Sequence, residues 1–230
     1  MKTQYLYMMG SASGAGKTML CEGLLAQLLL NAYRPEQLAY IKPMTQCIEK
    51  QAVTVFCEHA HIAHRSLGSL VFKKGFSKDF IDDLTKNSTI LREEVLAEIA
   101  DISANKVVVI IDGIGGPATG SVIGVSNVDI AMALDAPVLF VGKAGIGAAI
   151  DDTILAVSFM QQQGLHKIAL IYNKIAPAER VSIKHYVSTR LATLLPDIPV
   201  LDFIANGTPL TRQFKQQAAV NIRPWFERQE

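Results

Sequence analysis

Short apolar runs alternate along this chain with longer stretches of helical periodicity. The segment KVVVIID, residues 106–112, is a continuous β-branched run that ends in an acid. Such a run is typical of a strand that is buried on both faces of a parallel sheet. The pattern predicts seven buried strands, at residues 4–9, 38–42, 69–72, 106–112, 137–141, 167–172 and 200–204.

Helical periodicity fills most of the intervals between these runs. The predicted helices cover residues 17–31, 48–61, 90–102, 127–134, 151–163 and 178–194. Alternation of this kind predicts an α/β fold with a mostly parallel, doubly wound sheet and helices on both faces. Since no linker, repeat or low-complexity tract interrupts it, we expect a single domain over residues 1–230. Residues 49–87 are the least regular, and we expect a substrate-specific insertion there.

Composition narrows the choice of partners. Half of the 230 residues are hydrophobic, the formal net charge is +1, and Lys and Arg form no dense cluster. A nucleic-acid partner is therefore not expected, because it requires a basic face. We expect no membrane partner, since no apolar run has the length of a bilayer span. The chain start lacks a signal-peptide pattern and the three cysteines lack metal-ligand spacing, so we expect a cytoplasmic protein.

The stretch GSASGAGKT, residues 10–18, lies between the first predicted strand and the first predicted helix. In this position glycine-rich backbone and a helix N-terminus bind phosphate groups through N–H donors. Lys17 would contact the β- and γ-phosphates of a nucleotide and act in catalysis, and the Thr18 hydroxyl would bind Mg²⁺. The alternative is a flexible loop with a solvated lysine. The residues expected to surround the nucleotide are Gly10, Ser13, Gly14, Ala15, Gly16, Lys17 and Thr18.

Two further residues at strand ends carry charge. Asp112 ends the run KVVVIID and is predicted to bind Mg²⁺, directly or through water, although a strand-terminal Asp also forms turns. Lys42 ends the second predicted strand, and a second cation near the γ-phosphate would offset the charge that develops in phosphoryl transfer. Lys42 is therefore a catalytic candidate, with a solvated lysine as the alternative.

Asn173 and Lys174 follow the sixth predicted strand. Guanine-specific P-loop proteins often have Asn-Lys-x-Asp here, but position 176 is Ala. An Asn amide can instead pair with N6 and N7 of adenine. We therefore predict that Asn173 binds the base and that ATP is preferred, with a turn-capping role for Asn173 as the alternative.

Four blocks of sequence carry a family resemblance. GSASGAGKT is one residue longer between its outer glycines than the standard P-loop, with Ser11 at the first glycine position, and YIKPMTQ at residues 40–46 is the second block. The others are residues 111–152, from IDGIGG onwards, and IYNKI at residues 171–175. Together they resemble dethiobiotin synthetase, the ATPase domains of cobyrinic acid a,c-diamide synthase and the N-terminal domain of some phosphotransacetylases.

The resemblance implies a P-loop NTPase fold and an ATP- and Mg²⁺-dependent ligase that joins carbon to nitrogen. It assigns Asn173 to adenine and Lys42 to the transferred phosphoryl group. Dethiobiotin synthetase has an acidic residue in its glycine loop, where this chain has Ala12, Ser13 and Gly14, and a serine where this chain has Gln46. These differences leave the acid or amine substrate open.

Two functions remain open from the sequence. A ligase would need polar groups beside the γ-phosphate, for which Gln46 and Ser121 are the substrate-binding candidates. A regulatory ATPase would instead act through a protein partner and make no small-molecule product. We expect a homodimer that acts on a small carboxylate or amine. Because no cysteine follows Cys57, we also expect no glutaminase domain within this sequence.

Overall fold

The computed structural model describes residues 2–83, 85, 87–207 and 211–229. Its strands are β1 (Gln4–Gly10), β2 (Leu38–Ile41), β3 (Met44–Thr45), β4 (Ala63–Arg65), β5 (Leu70–Val71), β6 (Val108–Asp112), β7 (Val138–Gly142), β8 (Ile168–Ile175) and β9 (Val200–Ala205). Its α-helices are α1 (Lys17–Leu30), α2 (Ala52–His59), α3 (Phe76–Asp82), α4 (Ser88–Ser103), α5 (Asn127–Ala133), α6 (Gly147–Gln162), α7 (Arg180–Leu194), α8 (Arg212–Ala218) and α9 (Ile222–Phe226). Within these residues, no helix has the length and apolar character needed to cross a bilayer.

Seven strands form one parallel sheet in the order β4-β2-β6-β1-β7-β8-β9. Its inner strands are largely apolar on both faces, as the continuous runs predicted. In β1, Leu6 and Met8 pack on the side of α1, α2, α8 and α9, whereas Tyr7 and Met9 pack on the side of α4 to α7. Two hydrophobic cores therefore enclose the sheet, and the predicted α/β fold with helices on both faces is confirmed.

One predicted strand lies elsewhere. Residues 69–72 were predicted as a buried strand, and the strand Leu70–Val71 pairs with Met44–Thr45 in a separate two-stranded sheet rather than in the main one. The edge position beside β2 is occupied by Ala63–Arg65 instead. That strand is only half-buried and contains His64 and Arg65, so it lacks the apolar run that identified the others.

The strand order fixes where a ligand can bind. The strands β6, β2 and β4 lie on one side of β1, and β7, β8 and β9 lie on its other side. The direction in which strands are added therefore reverses at β1. Ligands of open α/β sheets bind at such a point, beyond the carboxyl ends of the strands. Met8 of β1 pairs with Asp112 of β6, which brings the predicted magnesium ligand beside the start of the glycine loop.

Candidate functional site

The glycine loop, residues 10–18, runs from the end of β1 into α1. Gly14 and Gly16 have φ angles of 78° and 99°, which favour glycine. A Cβ on Gly16 would also lie 2.1 Å from Nδ2 of Asn173. At the other end of the loop, the Gly10 amide donates to the Gly115 carbonyl at 3.0 Å. The loop is therefore held between β8 on one side and the segment that follows β6 on the other.

Lys17 begins α1 and is 7% exposed. A Cβ on Gly10 would be 3.3 Å from its Nζ, so the ammonium lies over the first residue of the loop. Burial holds the pKa of Lys17 below its ordinary value, while the charge of Asp112 opposes that shift. A phosphate in the loop would supply the counter-charge that this buried ammonium lacks.

Asp112 is fully buried and collects three hydrogen bonds on one oxygen. Its Oδ2 accepts from the Thr18 hydroxyl at 2.6 Å, from the Tyr40 hydroxyl at 3.0 Å and from Nζ of Lys42 at 3.3 Å. Burial and the Asp112 charge raise the pKa of Tyr40, so its hydroxyl stays protonated as a donor. The sheet therefore brings Thr18, Lys42 and Asp112 together.

The other carboxylate oxygen of Asp112, Oδ1, is buried and has no hydrogen-bond partner among the described residues. A buried orphan acceptor beside a hydroxyl oxygen is an arrangement that fits Mg²⁺, which prefers oxygen ligands and retains bound waters. Thr18 and Asp112 are the residues that would hold this ion. Within the described residues, no cluster of His, Cys, Asp and Glu forms another metal site.

Lys42 is held by two partners. Its Nζ donates to Oδ2 of Asp112 and, at 3.2 Å, to Oε1 of Gln51, which precedes α2. The side chain lines the cleft above the glycine loop and is 11% exposed. Lys42 is thus a positioned cation, as the phosphoryl-transfer prediction requires, and Gln51 limits its orientation.

Two adjoining clefts lie over the carboxyl ends of the strands. The first, of about 300 Å³, is lined by the glycine loop, Lys42, Gln51 and Lys174, and we call it the nucleotide cleft. The second, of about 410 Å³, is lined by residues 11–13, Gln46 and residues 114–119, and we call it the acceptor cleft. Both clefts share a wall that consists of Ser13, Gln46, Ile114 and Gly115.

Asn127 fixes the segment that forms this wall. Its Nδ2 donates to the carbonyls of Ile114 and Gly116 at 2.6 Å each, and its Oδ1 accepts from the Tyr7 hydroxyl at 3.0 Å. Asn127 and Tyr7 are both fully buried. A Cβ on Gly113 would lie within 2.8 Å of both side chains, which explains the glycine there. The wall is therefore built on the start of α5 and on β1.

Asn173 lies at the far end of the glycine loop. Its Nδ2 donates to the carbonyl of Ala15 at 3.0 Å, and the residue is 2% exposed. The following residue, Lys174, has a φ of 61° at an irregular point of β8 and lines the nucleotide cleft. Asn173 is thus in contact with the loop, while its predicted contact with adenine remains a prediction.

Not every candidate lies in the clefts. Ser121 begins a short 3-10 helix, is exposed, and donates its hydroxyl to the Ala118 carbonyl at 2.8 Å. It is not among the described residues that line either cleft. Gln46, the other substrate-binding candidate, lies in the shared wall. The two candidates for substrate binding are therefore in different surroundings.

Sequence reasoning gave no role to Tyr40, Gln51 or Asn127. Tyr40 could have been found from strand periodicity, because residues i and i+2 of a strand share a face and Lys42 was already a candidate. Asn127 is a polar side chain directly after the capping residue Ser126, in a helix that is otherwise apolar on its buried side. Gln51 has no comparable signal, since only the fold brings it to Lys42.

The glycine loop contains a buried lysine, the Thr18 hydroxyl is hydrogen-bonded to an aspartate at a strand end, and the topology of the parallel sheet reverses at β1. These features together define a P-loop ATPase. A family model described as an AAA domain, AAA_26, matches residues 4–205. The chain belongs to this family, which contains the P-loop ATPases of the dethiobiotin synthetase type. The family resemblance to dethiobiotin synthetase is therefore confirmed.

The individual proteins that match this chain have low sequence identity to it. The ATP-dependent dethiobiotin synthetase of Anaeromyxobacter sp. (strain K) is 29% identical over 96 residues, which cover 40% of this chain and 43% of that protein. The chain thus matches less than half the length of this relative. Among solved structures, a plasmid partition protein of Borrelia burgdorferi B31, bound to AMPPNP, has a TM-score of 0.63 at 13% identity, with 100% of both chains covered. The MinC:MinD cell division complex of Aquifex aeolicus gives 0.58 at 14% identity, covering 98% of this chain and 95% of that one.

Proposed function

We propose that this P-loop ATPase is a ligase that uses Mg·ATP to phosphorylate a small carboxylate or carbamate, which an amine then attacks. The observation that carries the proposal is the wall shared by the nucleotide and acceptor clefts. An acceptor bound behind Ser13, Gln46 and Gly115 would lie next to the position of a γ-phosphate over Lys17 and Lys42. A contiguous second cleft is what transfer to a bound molecule requires.

The proposed reaction has two steps. A carboxylate oxygen attacks the γ-phosphorus, the bond from that phosphorus to the β–γ bridging oxygen breaks, and ADP leaves with the electron pair. The amine nitrogen then attacks the acyl carbon, the phosphate leaves with the former carboxylate oxygen, and the extra proton on nitrogen passes to water. The protein contributes orientation and charge stabilisation rather than a covalent bond.

Each charged residue has a separate role in this proposal. Lys17 and the loop amides bind the phosphates in the ground state, and Thr18 and Asp112 hold Mg²⁺. The ion, when bound, neutralises charge on the β- and γ-phosphate oxygens. Lys42 stabilises the charge that shifts during transfer, and its hydrogen bond to Gln51 keeps it at the cleft wall. Gln46 contacts the acceptor; Ser121, which is bonded to Ala118, has no supporting contact for such a role.

The base is proposed to be adenine. Asn173 lies against the glycine loop, and Ala176 replaces the aspartate that would bind guanine. Competition between ATP and GTP in one titration tests this proposal, with tighter ATP binding expected. Equal affinities or tighter GTP binding would remove the assignment.

The ligase reaction can be tested without the natural amine. Hydroxylamine attacks acyl phosphates and leaves hydroxamates, so a panel of small carboxylates with Mg·ATP and hydroxylamine should release ADP and form hydroxamate in equal amounts. Lys42→Ala should reduce both products together. ADP release without hydroxamate for every carboxylate would contradict the proposal.

A regulatory ATPase is the second candidate, and a surface feature favours it. Ile81 of α3, Ile90 of α4 and Val122 of the short 3-10 helix are each about half exposed or more, on elements that lie near one another. Exposed apolar side chains on neighbouring elements suit a protein partner or a second copy of the chain, as in the expected homodimer. Under this alternative, ATP turnover would respond to a protein and no hydroxamate would form.

A further inference from the structure

The Asp112 carboxylate is used unevenly by its neighbours. Its Oδ2 accepts hydrogen bonds from Thr18 at 2.6 Å, from Tyr40 at 3.0 Å and from Nζ of Lys42 at 3.3 Å. A carboxylate oxygen offers about two lone-pair positions, so three donors are more than Oδ2 can bond well. The contact with Lys42 is the longest of these three and exceeds the length of about 2.7–2.9 Å that is usual for a charge-assisted bond. Lys42 is therefore the donor that Asp112 releases most easily.

The backbone of Lys42 is fixed, whereas its side chain has rotational freedom. The residue follows the end of β2, where its amide donates to the Arg65 carbonyl at 2.8 Å and its carbonyl accepts from the Gly68 amide at 3.1 Å. The ammonium is at the end of a flexible four-carbon stem, and the side chain lines the nucleotide cleft. Rotation of this stem can therefore carry the charge from Asp112 into the cleft without a change in the backbone.

Gln51 is the second partner of Lys42 and lies at the start of α2. Its backbone carbonyl accepts from the Thr54 amide at 3.0 Å, but its side chain makes no capping hydrogen bond. Ser, Thr, Asp and Asn are preferred at such a position, because their side chains do cap the helix. The Gln51 side chain instead lines the nucleotide cleft, and its Oε1 accepts from Nζ of Lys42 at 3.2 Å. The side chain at this helix start is therefore used to hold the lysine and not to cap the helix.

From these contacts we propose that Gln51 is a positioning residue, which keeps the Lys42 ammonium in the nucleotide cleft as Lys42 moves from Asp112 to the transferred phosphoryl group. Asp112 tolerates this exchange of partners, since the Thr18 and Tyr40 hydroxyls still donate to its Oδ2. The Gln51 oxygen is neutral and binds the ammonium less strongly than an ionised oxygen does, so it directs the charge without competing with the phosphate. This inference rests on the proposed role of Lys42 in phosphoryl transfer, and it holds whether the acceptor is a carboxylate or water.

The test is a double-mutant cycle on the binding of a transition-state mimic. The full chain is titrated with ADP and Mg²⁺, with and without aluminium fluoride, which stands in for the phosphoryl group during transfer. The ratio of the two ADP dissociation constants gives the tightening due to the mimic. Gln51→Ala should reduce this tightening on the order of tenfold and leave the affinity for ADP alone nearly unchanged. In a Lys42→Ala background, Gln51→Ala should have no further effect, because a positioning residue acts only through the residue that it positions.

Lys174→Ala supplies the matched control background. Lys174 lines the same cleft and carries the same charge as Lys42, but in the described part of the chain it is Lys42 that is bonded to Gln51. Gln51→Ala should therefore keep its full effect when Lys174 is replaced. If Lys42→Ala does not fold, Lys42→Met, which keeps most of the buried stem, takes its place in the cycle. An equal effect of Gln51→Ala with and without Lys42, or an unchanged tightening in Gln51→Ala, would overturn the inference.

These outcomes separate the positioning role of Gln51 from the proposed function. If Lys42→Ala lowers the tightening and Gln51→Ala does not, the transfer role of Lys42 stands and only the inference about Gln51 fails. If Lys42→Ala leaves the tightening unchanged, the transfer role is wrong and the inference fails with it. The ligase reaction is tested separately by hydroxamate formation, which can fail while the coupling between Gln51 and Lys42 is still observed.

Discussion

Lys17 is a cation that the fold has largely removed from water. Burial lowers its pKa, so the unliganded protein loses this charge at a lower pH than an exposed lysine would. Nucleotide phosphates favour the charged form, and the affinity for Mg·ATP should therefore fall as the pH rises through this lowered pKa. Binding on the alkaline side should also take up protons.

Calorimetric titrations between about pH 8 and pH 10 can measure both effects, since the terminal phosphate of ATP, like other phosphate monoesters, titrates well below this range. Lys17→Ala should abolish the proton uptake together with tight binding. Lys184→Ala, a change at an exposed position of α7, is the control and should behave as wild type. An affinity that stays constant up to about pH 10, below the ordinary lysine pKa of about 10.4, would contradict the role of burial.

Lys42 should act chiefly in the transition state. Its Nζ is already paired with Asp112 and Gln51, while Lys17 and the loop amides are positioned to hold the ground state. Lys42→Ala should lower the turnover number on the order of a hundredfold or more, as for the loss of one such electrostatic contact. The dissociation constant for ATP should change much less.

The measurement is the ATP dissociation constant and the ADP release rate on the same preparation, with Lys184→Ala as the charge-matched control. If ATP affinity and the ADP release rate fall by the same factor, Lys42 contributes equally to the ground state and to the transition state. Its proposed role in phosphoryl transfer would then be wrong.

At the scale of elements, Asn127 joins the start of α5 to the segment that separates the clefts. Asn127→Ala would leave the buried carbonyl of Ile114 and the partly buried carbonyl of Gly116 without their donor, at a cost of about 1–3 kcal/mol for the buried group and less for the other. Tyr7→Phe would remove only the hydroxyl that donates a hydrogen bond to Oδ1 of Asn127, so this variant should lose less stability. Chemical denaturation can measure the free energy of unfolding of both variants.

The expected order of destabilisation is Asn127→Ala, then Tyr7→Phe, then Asn31→Ala. Asn31 is an exposed residue whose amide donates to the Gln27 carbonyl within its own helix end, so it controls for loss of an asparagine. Comparable stability of the Asn127→Ala variant and the wild type would show that the segment does not depend on this side chain.

Most of the sheet could be predicted because buried parallel strands are continuously apolar. The edge strand Ala63–Arg65 could not, since an edge is exposed on one side and needs no such run. Residues 69–72 were predicted as a buried strand, and Leu70–Val71 does form a strand, but in the separate two-stranded sheet. Apolar character indicates that a strand is buried and does not indicate which sheet contains it.

Only those site residues that belong to a local sequence motif or to the end of a strand could be predicted. Lys17 and Thr18 lie in one loop, and strand-end positions brought in Lys42 and Asp112. The contact of Asn173 with Ala15 joins residues 158 positions apart, and that of Tyr7 with Asn127 spans 120. No sequence periodicity encodes such pairs, because they depend on how the strands are ordered in the sheet.

For the whole molecule, the fold alone does not separate a ligase from a regulator. The solved structures that share it, at 13% to 14% identity, include a plasmid partition protein and a cell division complex, whereas the relatives that match in sequence include dethiobiotin synthetases. What distinguishes the two functions is the atom that receives the γ-phosphoryl group. A ligase passes it to a bound acceptor, and a regulatory ATPase passes it to water.

The most direct measurement is therefore the origin of the oxygen in the released phosphate. ATP turnover would be run in ¹⁸O-labelled water with Mg²⁺, hydroxylamine and an unlabelled carboxylate that stimulates ADP release, and the phosphate analysed by mass spectrometry. Transfer to the carboxylate predicts phosphate without solvent oxygen, because its fourth oxygen comes from the acceptor. Incorporation of one ¹⁸O atom per phosphate, or failure of every carboxylate to stimulate turnover, would contradict the account.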